Sequence, residues 1–456
     1  MTQEVATTAQ HIATGPAFWI ATAIFLAAYA MIMYEKIHKT FIALFGAVLL
    51  IVLGIVTQEE AFSSLDFGID WNVIFLLISM MVIINIMKPT GAFEYLAIKG
   101  AKIGKGRPFR ILVIFAVVTA VVSAFLDNVT TVLLIAPVTI FICKDLKLDV
   151  VPFLITEALA SNIGGTATLI GDPPNIMIGS KAQLGFMPFV YNLTPVIIIV
   201  LIAFIITIKF VFGKKFVVHE EQRAKVMAMN EKETIKDPVL LKKSLAVLAL
   251  TIAGFIFHGT LHLDPATIAL FGASLLLLIS GIKRPQHIFA QAEWAALFFF
   301  MGLFIIIGAV VKVGLIKWMS IQVLALTQGN LLGTSMIVLW FSAFASAFID
   351  NIPYVATMNP LIINMAQQLW PNLSGAALLH HPDLMPMWWS LALGACLGGN
   401  GTAIGASANV VVVGMAEQAG RPISFRKFML YGMPLMIESV LICTLYIWLR
   451  YYVFKV

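Results

Sequence analysis

The sequence predicts an all-α polytopic membrane protein: two inverted-topology repeats, about ten transmembrane helices, two re-entrant helical hairpins and two broken helices. Composition is the first observation behind this. Of the 456 residues 60% are hydrophobic and 11% charged, against roughly 25% charged in a soluble domain. The second is an internal duplication. A displacement of 223 positions lays Asp70-Trp71 on Glu293-Trp294, Gly91 on Gly314, Asp127-Asn128 on Asp350-Asn351 and Pro137 on Pro360. Further along, a displacement of 234 lays Gly164-Gly165 on Gly398-Gly399, Thr168 on Thr402, Gly171 on Gly405 and Asn175 on Asn409, so 11 residues are inserted near 365–388. The third is the placement of basic residues, which cluster in short loops beside apolar spans, the pattern that orients a membrane chain.

Taken in order, apolar spans fall at 17–33, 40–56 and 71–87. The segment 91–104 is too polar to cross and reads as a short interfacial helix. At 109–143 two apolar arms meet at the polar tip Asp127-Asn128; about 16 apolar residues precede Asp127, fewer than the roughly 20 a crossing needs, which predicts a re-entrant hairpin. The next span, 152–179, is broken at SNIGGTATLIGDPPN, where Gly164, Gly165, Gly171, Pro173 and Pro174 cannot continue a regular helix. A span at 188–212 closes the first repeat, 1–212. The charged segment 213–243 follows, and its run EEQRAKVMAMNEKE reads as a solvated cytoplasmic linker helix. The second repeat, 244–456, has spans at 244–258, 265–281 and 294–311, a second hairpin at 332–364, a broken span at 389–415 interrupted at GGNGTAIGASAN, and a last span at 428–449.

Five crossings per repeat is odd, so the second repeat is inverted relative to the first. With both termini outside, 24 of the 29 lysines and arginines fall on the cytoplasmic side, as the positive-inside rule requires. The loop 57–70 carries Glu59, Glu60, Asp66 and Asp70 and no Lys or Arg, which suits the outer face. The N-terminal MTQEVATTAQHIATG has no basic run before its first span and does not read as a cleaved signal peptide.

Duplicated chains with discontinuous helices place their binding site between the repeats, as secondary transporters do. Each hairpin tip starts a second arm, so free backbone N–H groups lie beside Asn128 and Asn351. Asp127 and Asp350 are N-cap residues by position, yet a carboxylate in both tips, at membrane depth, also fits proton or cation coupling. Asp172 in GDPPN has no acidic match, since the corresponding GASAN offers Ser407, and a distinct coupling role is assigned to it. Glu157 is a further buried acid and a weaker relay candidate. Neutral binding groups are expected from Asn128, Thr130, Asn162, Gly165, Thr166, Asn351, Gly399, Asn400 and Thr402, with Thr131 and Thr168 beside them; helix capping and packing account for each hydroxyl alone equally well. The midplane is expected to hold acids and amides but no Lys or Arg, which favours a cation or an uncharged polyhydroxylated solute over a multiply charged anion.

Other classes are disfavoured. The net charge of +6 lies in membrane-flanking loops, so no nucleic-acid partner is expected. Cys143, Cys396 and Cys443 are isolated, which argues against a disulfide framework or a thiolate metal site. No HExxH, GxSxG or comparable catalytic spacing occurs; no cofactor, metal or catalytic set is read. A passive channel fits poorly with paired hairpins that look like moving gates.

The strings DNVTTVLLIAPVTI and SNIGGTATLIGDPPN resemble those of the ArsB/NhaD group of the ion-transporter superfamily, which includes arsenite efflux pumps, sodium/proton antiporters and the melanosomal P protein. The resemblance spans nearly the whole chain. It implies a secondary transporter of the bacterial inner membrane, moving arsenite or antimonite outward against inward proton flow, with sodium/proton antiport as the alternative. The dicarboxylate carriers of the superfamily have a Ser-Asn-Thr tip where this chain has Asp127-Asn128-Val129 and Asp350-Asn351-Ile352, so the resemblance implies a different cargo. A homodimer is common in the superfamily, and a cytosolic ATPase partner is left open.

Overall fold

The computed structural model describes residues 15–34, 36–64, 66–213, 216 and 220–455. The N-terminal stretch through residue 14, parts of the 213–219 linker and Val456 lie outside the described residues. The described chain is helical throughout: α1 (Pro16–Tyr34), α2 (Lys39–Val52), α3 (Gln58–Ser63), α4 (Trp71–Met87), α5 (Ala92–Ile103), α6 (Pro108–Ser123), α7 (Asn128–Asp145), α8 (Val151–Gly165), α9 (Pro173–Ala182), α10 (Phe186–Phe212), α11 (Glu220–Ala228), α12 (Pro238–Leu261), α13 (Pro265–Ser280), α14 (Gln286–Ala290), α15 (Trp294–Lys312), α16 (Leu315–Thr327), α17 (Leu331–Phe348), α18 (Asn351–Leu369), α19 (Gly375–Leu379), α20 (Met385–Gly398), α21 (Ser407–Gln418) and α22 (Phe425–Ile447). Among the described residues eight helices are long and apolar enough to cross a bilayer, and the protein is an all-α polytopic membrane protein.

The two hairpins are α6–α7 and α17–α18. Their arms are 16, 18, 18 and 19 residues, the first as short as the sequence suggested and the others longer, with Asp127 and Asp350 capping the second arms. At 1.5 Å per residue each arm runs about 24–28 Å, close to the hydrocarbon thickness. Length alone therefore does not stop them at midplane. The two broken spans are α8–α9 and α20–α21, with the irregular backbone between them buried in protein rather than facing lipid.

Small residues let each hairpin approach its broken span. A Cβ on Gly164 would lie 2.0 Å from the Ala120 carbonyl oxygen, and one on Gly398 would lie 2.5 Å from that of Ala343. These are the same contact in the two repeats. So are the hydroxyl bonds from Thr168 to the Ala124 carbonyl and from Thr402 to the Ala347 carbonyl. Around these modules, α2 of the first repeat packs on α15 of the second and α13 of the second on α4 of the first. The halves therefore interlock instead of sitting side by side.

Two segments differ from expectation. Residues 315–327, given no element by the sequence reading, form α16, the counterpart of α5. Both follow a left-handed glycine, Gly91 at φ 83° and Gly314 at φ 89°, a conformation glycine adopts without Cβ strain. The linker run is only partly solvated: α11 buries Val226, Arg223 donates to the Lys105 carbonyl, and Glu231 pairs with Lys102 at 2.6 Å. The segment docks on the cytoplasm-assigned loop instead of floating free of it.

Candidate functional site

The starts of α7, α9, α18 and α21 converge, and they place the polar groups Asp127, Asn128, Asp172, Asn351 and Ser407 at one junction. Asp127 caps α7, its Oδ1 accepting the Thr130 N–H at 2.8 Å. Asp350 caps α18, its Oδ1 accepting the Ile352 N–H at 3.1 Å. Capping is thus a real role of both acids. The first residues of these helices, Asn128 and Asn351, are buried and turn their amides to a single carboxylate, Asp172. Asn128 Nδ2 lies 3.3 Å from Asp172 Oδ1, and Asn351 Nδ2 lies 3.5 Å from both oxygens. The single acid is thus shared by equivalent amides from the two repeats.

Behind it lies an amide lattice. Asn162 accepts from Asn128 at 2.9 Å and donates to Asn400 and Asn409 at 2.9 and 3.0 Å. Asn409 donates to the Gly399 and Thr402 carbonyls; Asn175 likewise serves the Thr166 and Thr168 carbonyls. The side chains of the two breaks thus hold their own unwound backbone. Thr166 turns its hydroxyl back to the Asn162 carbonyl, and Gly165 is needed because a Cβ would sit 2.5 Å from the Gly171 carbonyl oxygen. Cys396 occupies the position matching Asn162, its sulfur 3.5 Å from Asn175 Oδ1. That mirrors the Asn162–Asn409 bond.

A cavity of about 50 Å³ opens in front of Asp172, lined by Asp127, Asn128, Asn351, Glu293, Ser407 and Lys39 among others. A larger cavity of about 720 Å³, lined by Asp66, Asp70, His258 and Asp264 among others, touches the first break only at Leu169. The smaller one is the candidate site, since Asp172 and the amides of both hairpin tips meet there. α4 and α18 line both, with Leu76 and Ile363 on the larger and Leu77 and Ile352 on the smaller.

Lys39 corrects the expectation of a midplane without basic residues. Its Nζ lies 2.5 Å from Asp350 Oδ2 and 3.1 Å from Ser407 Oγ, over the Phe299 ring at 4.9 Å. A local reading placed it among loop charges, because its partner is 311 residues away. The acid at the start of α15, Glu293, was also missed as a site residue; it was legible only as the match of Asp70. A third correction concerns Asp172: its match at the helix cap is Ala406, with nearly the same backbone (φ −142°, ψ 132° against φ −146°, ψ 144°). Ser407 falls one residue later and serves Asp350 at 3.3 Å.

Not every candidate reaches the cavity. Thr130 contributes the N–H that Asp127 caps and is not among the lining residues. Glu157 accepts from Thr139 at 2.5 Å, about one and a half turns before Asn162, and it too lies outside the lining. Thr131 is fully buried away from it.

Paired hairpins, paired broken helices and a buried polar junction between them define a membrane transporter. The comparisons make this specific: residues 29–394 match the family model CitMHS, citrate transporter, and the chain belongs to that family. It is 46% identical to an uncharacterized transporter of Mycobacterium tuberculosis over 434 residues, covering 95% of this chain and 99% of the relative. A 46 kDa membrane protein of Mycobacterium leprae is 44% identical with the same coverage. The human P protein is 33% identical over 501 residues, covering 92% of this chain and 58% of the relative. The P protein likeness agrees with the motif resemblance, whereas the matching family model is that of the citrate transporters and not of the arsenite pumps.

Proposed function

We propose that this chain is a proton-coupled secondary transporter whose leading cargo is arsenite or antimonite in its uncharged trihydroxide form, exported across a bacterial inner membrane with both termini outside. The observation that carries the coupling is Asp172. Its carboxylate is 1% exposed, its two amide partners are neutral, and no Lys, Arg or His among the described residues pairs with it. Burying an uncompensated carboxylate is costly, so it takes up a proton or a cation. Asp127 extends the same coupling set, Asp350 supports it through its pair with Lys39, and Glu157 is left to structure. For the cargo, the amides of Asn128 and Asn351, with their helix N-termini, offer donors and acceptors suited to hydroxyl groups. A cavity of about 50 Å³ suits a solute of a few heavy atoms, well below the roughly 300 Å³ where pockets for larger organic ligands begin.

Sodium/proton antiport is the second reading, favoured by three carboxylates on the cavity wall, Asp127, Asp172 and Glu293, beside one lysine that is already paired with Asp350. The family's citrate label gives a third cargo to test, although that acidic excess opposes a tricarboxylate. The experiment is uptake by proteoliposomes under an imposed proton gradient, with arsenite, Na⁺ and citrate in parallel. Gradient-driven arsenite accumulation without a Na⁺ response supports the first reading. Proton movement that requires Na⁺ replaces it with antiport, and citrate accumulation alone refutes both.

A further inference from the structure

The two half-sites are built from equivalent residues but carry unequal charge. In the first, Asp127 and Asp172 bring two carboxylates and no paired cation. In the second, Ala406 stands where Asp172 stands in the first, and the tip acid, Asp350, is already paired with Lys39 at 2.5 Å, with Glu293 at the start of α15 on the same cavity. Asp350 uses Oδ1 to cap its own helix and Oδ2 to accept from Lys39 and Ser407, so both its oxygens are engaged. The helix equivalent to α2 starts at Pro265, behind the cap Asp264, and supplies no cation to the first half-site.

We infer that Lys39 is a built-in counter-cation: it fills the second half-site permanently, leaving the first half-site and Asp172 as the one place where a mobile proton or cation binds. The inference rests on the coupled-transport reading above and adds to it how many ions the site can take. Lys39 opens α2, a helix packed on α15, whereas Asp350 caps the second hairpin. The pair therefore also joins the hairpin to the surrounding helices. The charged and titratable groups facing Asp350 are Lys39 from α2, Asp172 from the start of α9 and Asp127 from the first hairpin, together with Glu293 at the start of α15 and Tyr29 from α1. Tyr29 holds the hairpin by its own bonds to the Pro353 carbonyl and the Thr357 hydroxyl.

The test measures the number of protons moved per cargo, and its pH profile, in proteoliposomes of the full chain, with each variant first checked for folding in detergent. Lys39→Arg is expected to keep the wild-type ratio. Lys39→Gln frees Asp350 to bind a proton, so the ratio rises by about one and the pH profile moves. The double variant Lys39→Gln/Asp350→Asn brings the ratio back. An unchanged ratio and profile in Lys39→Gln, or a double variant no nearer to wild type than the single, overturns the inference. Should Lys39→Gln not fold, Asp350→Asn examines the pair from the other side: it leaves the ammonium without its carboxylate in the cavity, so flux is expected to fall below that of the double variant. A flux equal to or above that of the double variant also overturns the inference. A wild type that moves no protons with arsenite, Na⁺ or citrate removes the coupling reading and this inference with it, whereas wild-type coupling that Lys39→Gln leaves untouched defeats this inference alone.

Discussion

Replacing Gly164 by alanine puts a methyl group 2.0 Å from the Ala120 carbonyl oxygen and 2.5 Å from its carbonyl carbon and Cα. Ordinary contact begins near 3.5 Å, so α6 and α8 must separate by roughly 1.5 Å. The obstacle is helix backbone, which cannot swing aside as a side chain can. Overpacking of this kind costs about 3 kcal/mol, the top of its usual range, and is offset by about 1 kcal/mol because alanine is the better helix former. The net loss of about 2 kcal/mol lowers the apparent melting temperature in detergent by roughly 2 °C for a chain of this length. Gly414, in α21, is the control, since a Cβ there meets nothing within 4 Å and alanine should leave the melting temperature unchanged or raise it. The same separation moves Asp127, at the end of this hairpin arm, away from Asp172, so transport falls too. A Gly164→Ala chain that melts no lower than the Gly414→Ala chain would refute the tight approach.

The remaining expectations concern charge. Asp172→Asn keeps the shape but removes the shared acceptor of Asn128 and Asn351, and proton-driven accumulation should drop by roughly tenfold or more, the scale of one charge-assisted hydrogen bond; undiminished accumulation would exclude Asp172 from coupling. Asp127→Asn and Asp350→Asn still cap their helices, so coupled transport should fall while the amount inserted in the membrane, read by immunoblot, stays level; wild-type flux and pH response in both would remove those acids from the mechanism. In the short helix α3, hydrogen bonds from the Lys312 ammonium and then the Thr57 N–H hold the Glu60 carboxyl below its usual range. A lowered folded value means the contribution is full above the unfolded value of about 4.3 and is lost as pH falls through the folded one. Glu60→Gln should therefore flatten the acid limb of the melting curve measured at low salt, and an acid limb as steep as wild type would show that the pair contributes nothing.

The landmarks of the repeats were legible because glycine, proline and N-cap residues do local work that any copy of the element must repeat. Gly91 and Gly314, Asp127 and Asp350, and Gly164 and Gly398 could be found by displacement alone, and so could the amides that hold the breaks. Lys39 could not. Its meaning lies in a pairing across most of the chain, while its neighbours in sequence made it look like one more orienting charge. Matching GDPPN to GASAN by its polar letters chose Ser407, whereas the displacement of 234 that lays Gly171 on Gly405 puts Ala406 opposite Asp172, and the helix starts agree. The arms of the hairpins looked short because a carboxylate was read as an interruption, when it is the point from which the next helix grows.

The crossed bonds between the breaks, Asn162 to Asn400 and Asn409 and Cys396 to Asn175, bear on how such a chain is synthesised. When the first half has left the ribosome, Asn162 is buried with donors whose acceptors have not yet been made. The early product must hold this region open or keep it wet until Asn400 and Asn409 arrive, 238 and 247 residues later. A truncated product lacking α20 onward would carry unpaired donors at its centre, a polar wound that the full chain closes.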